Sequence, residues 1–216
     1  MGNKAHSHII GIDEVGRGPL AGPVAVGVVK LNSVYVRDTN LLIRSLKSKV
    51  EWTRNFKDSK KLSAKAREAW VVKIDEAVAE GWLEYVVAFV SPGVIDKKGL
   101  SYAIRTALEK ALDGLGNETS KLGETMVLLD GGLRAPAQYI NQKTIIKGDE
   151  KELSIALASI VAKVFRDKKM VALSKKFPKY GFEKHKGYGT RAHYEAIKKH
   201  GITKHHRKSF LKGVVE

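Results

Sequence analysis

Four carboxylates stand where apolar runs end. Asp13 and Glu14 close "HIIGIDE", Asp130 closes "TMVLLD", and Asp149 follows "TIIKG". An acid at the end of a buried strand is costly unless a cation or a dense set of hydrogen bonds receives it. Hard oxygen donors brought to one point are what a magnesium or manganese ion takes, with water and substrate phosphate completing its shell. Two such ions about 3.5–4 Å apart activate a water and stabilise the leaving oxygen in phosphodiester hydrolysis. Alone, Asp130-Gly131 reads as a turn; four acids, each after an apolar strand, reverse that preference. Neighbours on a regular strand point to opposite faces, so Asp13 and Glu14 share a site only if the chain turns there. Gly16 and Gly18 are expected to supply that turn.

The background to these acids is basic. Lys and Arg number 39 against 23 Asp and Glu, a formal charge of +16, which is the footprint of a nucleic-acid binder. A pure binding module gains nothing from four acids set against a polyanion, so a metal-dependent nuclease is the stronger reading and a non-catalytic nucleic-acid-binding module the weaker. With no cysteine, disulfides, thiolate zinc sites and cysteine nucleophiles are excluded. No apolar run approaches the roughly 18 residues of a membrane span, and "MGNKAHS" lacks the apolar core of a signal peptide. A cytoplasmic monomer without membrane association is expected.

The 216 residues, 43% hydrophobic, suit one globular domain. "HIIGID" and "VAVGVVKL" read as paired strands across a Gly/Pro turn, with further strands at "LEYVVAFV", "TMVLLD" and "KTIIK". Ser63 is placed to cap a helix from Ala64 whose inner face holds Trp70, Ile74, Ala77 and Val78. A second helix is expected over Tyr102–Leu112. A third begins at "ELSIALASIVAKVF", with Leu157, Ile160, Val161 and Val164 on its apolar face and small residues permitting close contact with the sheet. Residues 31–57 read as an insertion and 114–124 as a polar loop. From Lys184 to Lys212 there are nine Lys or Arg, five His and one acid, which suggests a basic helical tail lying along a phosphate backbone. The division expected is a core over 1–183 with an extension over 184–216 packed upon it.

The phrases "GIDEVGRGPLAGPV", "DSKKLS", "LLDGG", "IIKGD", "SIALASIVAKVFRD", "YGFEKHKGYGT" and "HHRKSF" together resemble ribonuclease HII, the type 2 ribonuclease H family. The resemblance implies an α/β fold: a ribonuclease H-like mixed sheet flanked by helices, with a C-terminal helical region. It also implies hydrolysis of the RNA strand of RNA/DNA hybrids, and nicking 5′ of single ribonucleotides embedded in duplex DNA, with Mg2+ or Mn2+ as the divalent metal. The family's metal carboxylates fall on Asp13, Glu14, Asp130 and Asp149, its sugar-sensing backbone on Gly16, Arg17 and Gly18, and its sugar-sensing tyrosine on Tyr180. Glycine permits close backbone approach, and the 2′-hydroxyl is the group that separates RNA from DNA.

Lys60, Lys61 and Lys163 are expected at phosphates, and Arg17 can reach one too. Asp167 is assigned to an ion pair or helix contact. His185, His193, His205 and His206 are expected to bind phosphate or face solvent, since hard carboxylate chemistry does not call on them. Two departures from the family pattern stand out: Gly189 in "KGYGT", where many members carry proline, and the length of the 31–57 segment. Ribonuclease HIII has an additional N-terminal domain, and with the catalytic phrase beginning at Gly11 the expected resemblance is to ribonuclease HII. A junction-resolving nuclease of similar fold would share the acids and lack the Gly-Arg-Gly phrase.

Overall fold

The structure is a computed structural model that describes residues 8–32, 62–116 and 119–213. Lys60, Lys61 and nearly all of the 31–57 stretch lie outside the described residues. Strands β1 (His8–Val15), β2 (Val24–Leu31) and β3 (Leu83–Val90) form an antiparallel meander, while β4 (Thr125–Asp130) and β5 (Gln142–Ile145) add in parallel on the other side of β1. The order β3-β2-β1-β4-β5 puts β1, which carries Asp13 and Glu14, at the centre of the sheet and beside β4, which ends at Asp130.

Helices cover both faces. Helix α1 (Ala64–Ala79) starts on the Ser63 hydroxyl, which accepts the Ala66 N–H at 3.2 Å, and buries Trp70, Ile74 and Ala77; Val78, expected inside, is 37% exposed. Two helices follow β3: α2 (Pro92–Lys98), for which the sequence gives no clear periodic signal, and α3 (Leu100–Gly114). Ile104, Ala107, Leu108, Ala111 and Leu112 of α3 pack on Ile10, Ile12, Val24, Val26 and Val28. The stretch expected as a polar loop over 114–124 carries a short 3-10 helix at Thr119–Glu124. After α4 (Gly148–Lys151) comes α5 (Leu153–Lys176), whose Leu157, Ile160, Val161 and Val164 pack with Val29, Leu31, Trp70 and Ile74 on the opposite face. Each of these large apolar side chains contributes about 1.5–3 kcal/mol on full burial.

Helix α5 meets the sheet backbone to backbone. A Cβ on Gly11 would fall inside the Ser154–Ile155 main chain, and one on Gly27 would meet the Ala158 carbonyl. Glycine at these two facing positions lets the helix settle directly over the strand that ends in the acids. The C-terminal region is less helical than expected: α6 (Phe182–His185) is one turn across the 183/184 boundary, α7 (Arg191–His200) is ten residues, and the chain then turns. It is tied to the core at residues 20–22, where Leu20 N–H bonds the Gly187 carbonyl, Gly22 N–H bonds that of His205, and Arg207 N–H bonds that of Leu20.

Candidate active site

Strand β1 stays regular through Val15, and the chain then turns at Gly16 with φ +90°, one of the two glycines expected to supply the turn. Asp13 lies on the face covered by α5 and is buried, while Glu14 sits across the pleat with its side chain 11% exposed. They meet because the sheet ends there. Asp13, Glu14 and Asp130 line one cavity of about 270 Å³, together with Val15, Arg67, Ser159, Ile160 and Lys163. The parallel register sets Ile12 beside Leu129, which delivers Asp13 and Asp130 to the same edge. Asp149 is fully buried in the first turn of α4 and does not line the cavity; its neighbour Gly148 donates its N–H to Asp130 Oδ1 at 2.7 Å.

The charges at this edge are only partly neutralised. Asp13 accepts the Glu14 N–H at 2.8 Å, and Glu14 Oε1 pairs with Arg17 Nη1 at 2.7 Å. Glu14 Oε2 is buried and accepts no hydrogen bond among the described residues. Burial, reinforced by Glu14 and Asp130, pushes the Asp13 carboxyl up to about 8 against the opposing Ser159 hydrogen bond. Among the described residues no three or more His, Asp or Glu side chains are gathered closely enough to hold a metal ion by themselves.

Beyond the acids, Arg17 and Gly18 are exposed, and the space where a Gly18 Cβ would project is open. A Gly16 Cβ would instead strike the Arg166 side chain, so Gly16 is required for packing and for its positive φ, and the space beside it belongs to the protein, not to a substrate sugar. A second hollow, of about 170 Å³, adjoins the turn between Arg17, Arg105 and Arg134, with Ser101 and Gly132 in its wall. Lys163 lies between the cavity and an aromatic ring: its Nζ is 2.9 Å from Asp167 Oδ1 and 5.8 Å from the Tyr188 ring centroid. Asp167 therefore makes the ion pair expected of it.

Tyr180 does not face this site. It is 7% exposed, stacks on Phe182, and donates its hydroxyl to the Gly201 carbonyl at 2.8 Å. The tyrosine that reaches the rim is Tyr188, 40% exposed and beside Lys163 and Arg166. Sequence reasoning misses it; the signal available is its place in "HKGYGT" between glycines, where an aromatic has little local reason to be buried. The histidines also depart from expectation. His193 and His206 are buried, and their bonds define one consistent pair of neutral tautomers: Thr203 N–H to His206 Nδ1 at 3.0 Å, His206 Nε2–H to His193 Nε2 at 3.2 Å, and His193 Nδ1–H to the Tyr188 carbonyl at 2.9 Å. Burial, then the neighbouring His193, pushes His206 down to about 4, so it holds structure and takes no phosphate.

The family model described as ribonuclease HII matches residues 10–213. The chain belongs to the ribonuclease HII family. Ribonuclease HII of Clostridioides difficile is 42% identical over 99% of this chain and 73% of its own length. The fold is that of ribonuclease H2 from Pyrococcus horikoshii, with a TM-score of 0.66 at 23% identity covering 96% of each chain. Bst-RNase HIII, solved in complex with Mn2+, aligns with a TM-score of 0.59 at 18% identity over 98% of this chain and 71% of that one. As a ribonuclease HII the chain is a ribonuclease H, a phosphodiester hydrolase. Among its described residues no helix is long and apolar enough to cross a membrane.

Proposed function

We propose that this chain is a divalent-metal-dependent endonuclease that cuts the RNA strand of RNA/DNA hybrids and nicks 5′ of a single ribonucleotide in duplex DNA, leaving a 3′-hydroxyl and a 5′-phosphate. The observation that carries this reading is the convergence of Asp13, Glu14 and Asp130 on one cavity whose acids the protein neutralises only in part. The donors fit a magnesium or manganese ion, since they are hard oxygens and a buried Glu14 Oε2 is left to bond. An open set also suits an ion that keeps several waters and takes a substrate phosphate as ligand, in place of an all-protein cage. Asp13, Glu14 and Asp130 would hold the metal, with Asp149 next to the Gly148 whose N–H fixes Asp130. When bound, it supplies Lewis acidity at the scissile phosphate and a nucleophilic water at neutral pH.

The remaining roles belong to the chain. Lys163 faces the same cavity and offers its ammonium to a phosphate oxygen, while Asp167 holds it in place. Arg17, Arg105 and Arg134 give the neighbouring hollow a positive lining suited to a flanking phosphate. Arg17 and Gly18 present backbone to the sugar, with Gly16 turning the chain beneath them, and Tyr188 replaces Tyr180 as the ring that packs on it. Three labelled duplexes test the reading: a continuous hybrid, a DNA duplex with one ribonucleotide, and all-DNA. The first two should be cut only with added Mg2+ or Mn2+, the third not at all; full activity in excess chelator, or an intact single-ribonucleotide duplex, overturns it.

A further inference from the structure

The carbonyls of the turn after Glu14 are drawn into the protein by a residue 191 positions away. Arg207, fully buried, donates from Nη2 to the Gly16 carbonyl at 2.7 Å, from Nη1 to that of Arg17 at 2.9 Å, and from Nε to that of Gly22 at 3.1 Å. Arg166, also buried, donates from Nε to the Pro23 carbonyl at 2.9 Å and fills the space beside Gly16. In a planar trans peptide the N–H points away from the carbonyl it shares a plane with. Holding the Gly16 and Arg17 carbonyls inward therefore turns the N–H groups of Arg17 and Gly18 outward. Neither donates a hydrogen bond among the described residues, and both residues are exposed. Two adjacent outward donors with open space before them make a small receptor for one oxygen atom.

We propose that Arg207 is a positioning residue for ribonucleotide recognition: by fixing the carbonyls it aims the Arg17 and Gly18 N–H groups at the 2′-hydroxyl oxygen of the substrate. The assignment rests on the reading of this turn as the sugar contact. Lysine cannot replace arginine here, because one ammonium does not span three carbonyls set around a planar fork. Arg207 is itself held from the other side. Asp96 of α2 accepts the N–H groups of Lys208 and Ser209 at 3.0 and 2.9 Å and the Ser209 hydroxyl at 2.7 Å, anchoring the turn that follows Arg207. The C-terminal region thus bears on substrate choice through the turn, in addition to any charge it offers a phosphate backbone.

The test compares kcat/KM on the single-ribonucleotide duplex and on the continuous hybrid, with thermal unfolding and Mn2+ binding followed on the same samples. Arg207→Lys should lose at least tenfold more activity on the single ribonucleotide than on the hybrid, with Mn2+ binding within twofold of the unaltered protein. Asp96→Ala, a surface change that leaves the core intact, should move the same ratio in the same direction by about threefold, and it carries the test if Arg207→Lys does not fold. Equal losses on both substrates, or losses that track the unfolded fraction, overturn the role of Arg207. Gly18→Ala separates this from the underlying reading. If it leaves the ratio unchanged, the turn does not touch the sugar; if it shifts the ratio while the Arg207 and Asp96 variants do not, the positioning role alone fails.

Discussion

Arg207 and Asp13 are both charged groups taken out of water close to the same turn, yet their surroundings differ in kind. Every nitrogen of the Arg207 guanidinium meets a main-chain carbonyl, and Arg166 likewise donates to three carbonyls, those of Pro23, Lys186 and Ala21. The protein supplies a main-chain partner for each guanidinium nitrogen, so these cations serve as fixtures. Asp13 has one backbone N–H and the Ser159 hydroxyl, and is then crowded by Glu14 and Asp130. Its neutralisation has to come from outside. Burial alone does not separate structural from functional charge; what separates them is whether the fold completes the set of partners.

The largest effect that could break this contrast is at the acids. Asp13→Asn or Asp130→Asn should lower kcat by about a thousandfold or more while duplex binding is kept or tightened, as read by single-turnover cleavage and anisotropy. The same substitution should show in stability. Burial raises the Asp13 carboxyl to about 8, so in chelator the stability it contributes is fully present below about pH 4 and is lost as pH rises toward 8. Melting of the unaltered protein should therefore fall relative to Asp13→Asn across that window, by a few kcal/mol, and added Mn2+ should close the gap most at the alkaline end.

A middle-sized effect sharpens the contrast between the two tyrosines. Tyr188→Ala should cost about ten- to a hundredfold in kcat/KM on the single-ribonucleotide duplex with little change in melting temperature. Tyr180→Phe should lower stability by about 1 kcal/mol through removal of the hydroxyl bond to Gly201, while activity per folded molecule stays within twofold. The reverse pattern would return the sugar-packing role to Tyr180. The smallest effect concerns the arginine-lined hollow. Arg105→Ala with Arg134→Ala should weaken binding to every duplex severalfold and reduce the salt slope by about 0.9 for each phosphate no longer neutralised, with no change in where the strand is cut. An unchanged slope would assign both side chains to solvent.

Much of the fold was legible because its elements are marked by local runs and faces of apolar residues. The apolar runs "HIIGI" and "VAVGVVKL" and the small-residue face of α5 each encode one packing arrangement, and the acids stood out as polar ends on apolar strands. The C-terminal region was not legible in the same way. Tyr180 and Tyr188 lie eight residues apart in similar glycine-rich contexts, and which of them is buried depends on how Phe182 of α6, His193 of α7 and His206 of the following turn stack together. Local composition favoured solvated cations there, whereas Arg207 and two of the histidines are interior. A buried arginine whose partners are carbonyls 185 to 191 residues away leaves no periodic trace in the sequence.

That separation has a consequence for how the protein is made. At about 5–20 residues per second, translation passes from Gly16 to Arg207 in roughly 10–40 s. Through that interval the nascent chain already carries the strand bearing Asp13 and Glu14, but the peptide groups at 16–18 have no guanidinium to orient them. A chain released early, or clipped ahead of Arg207, would keep the first acids and lack the means of choosing where they act.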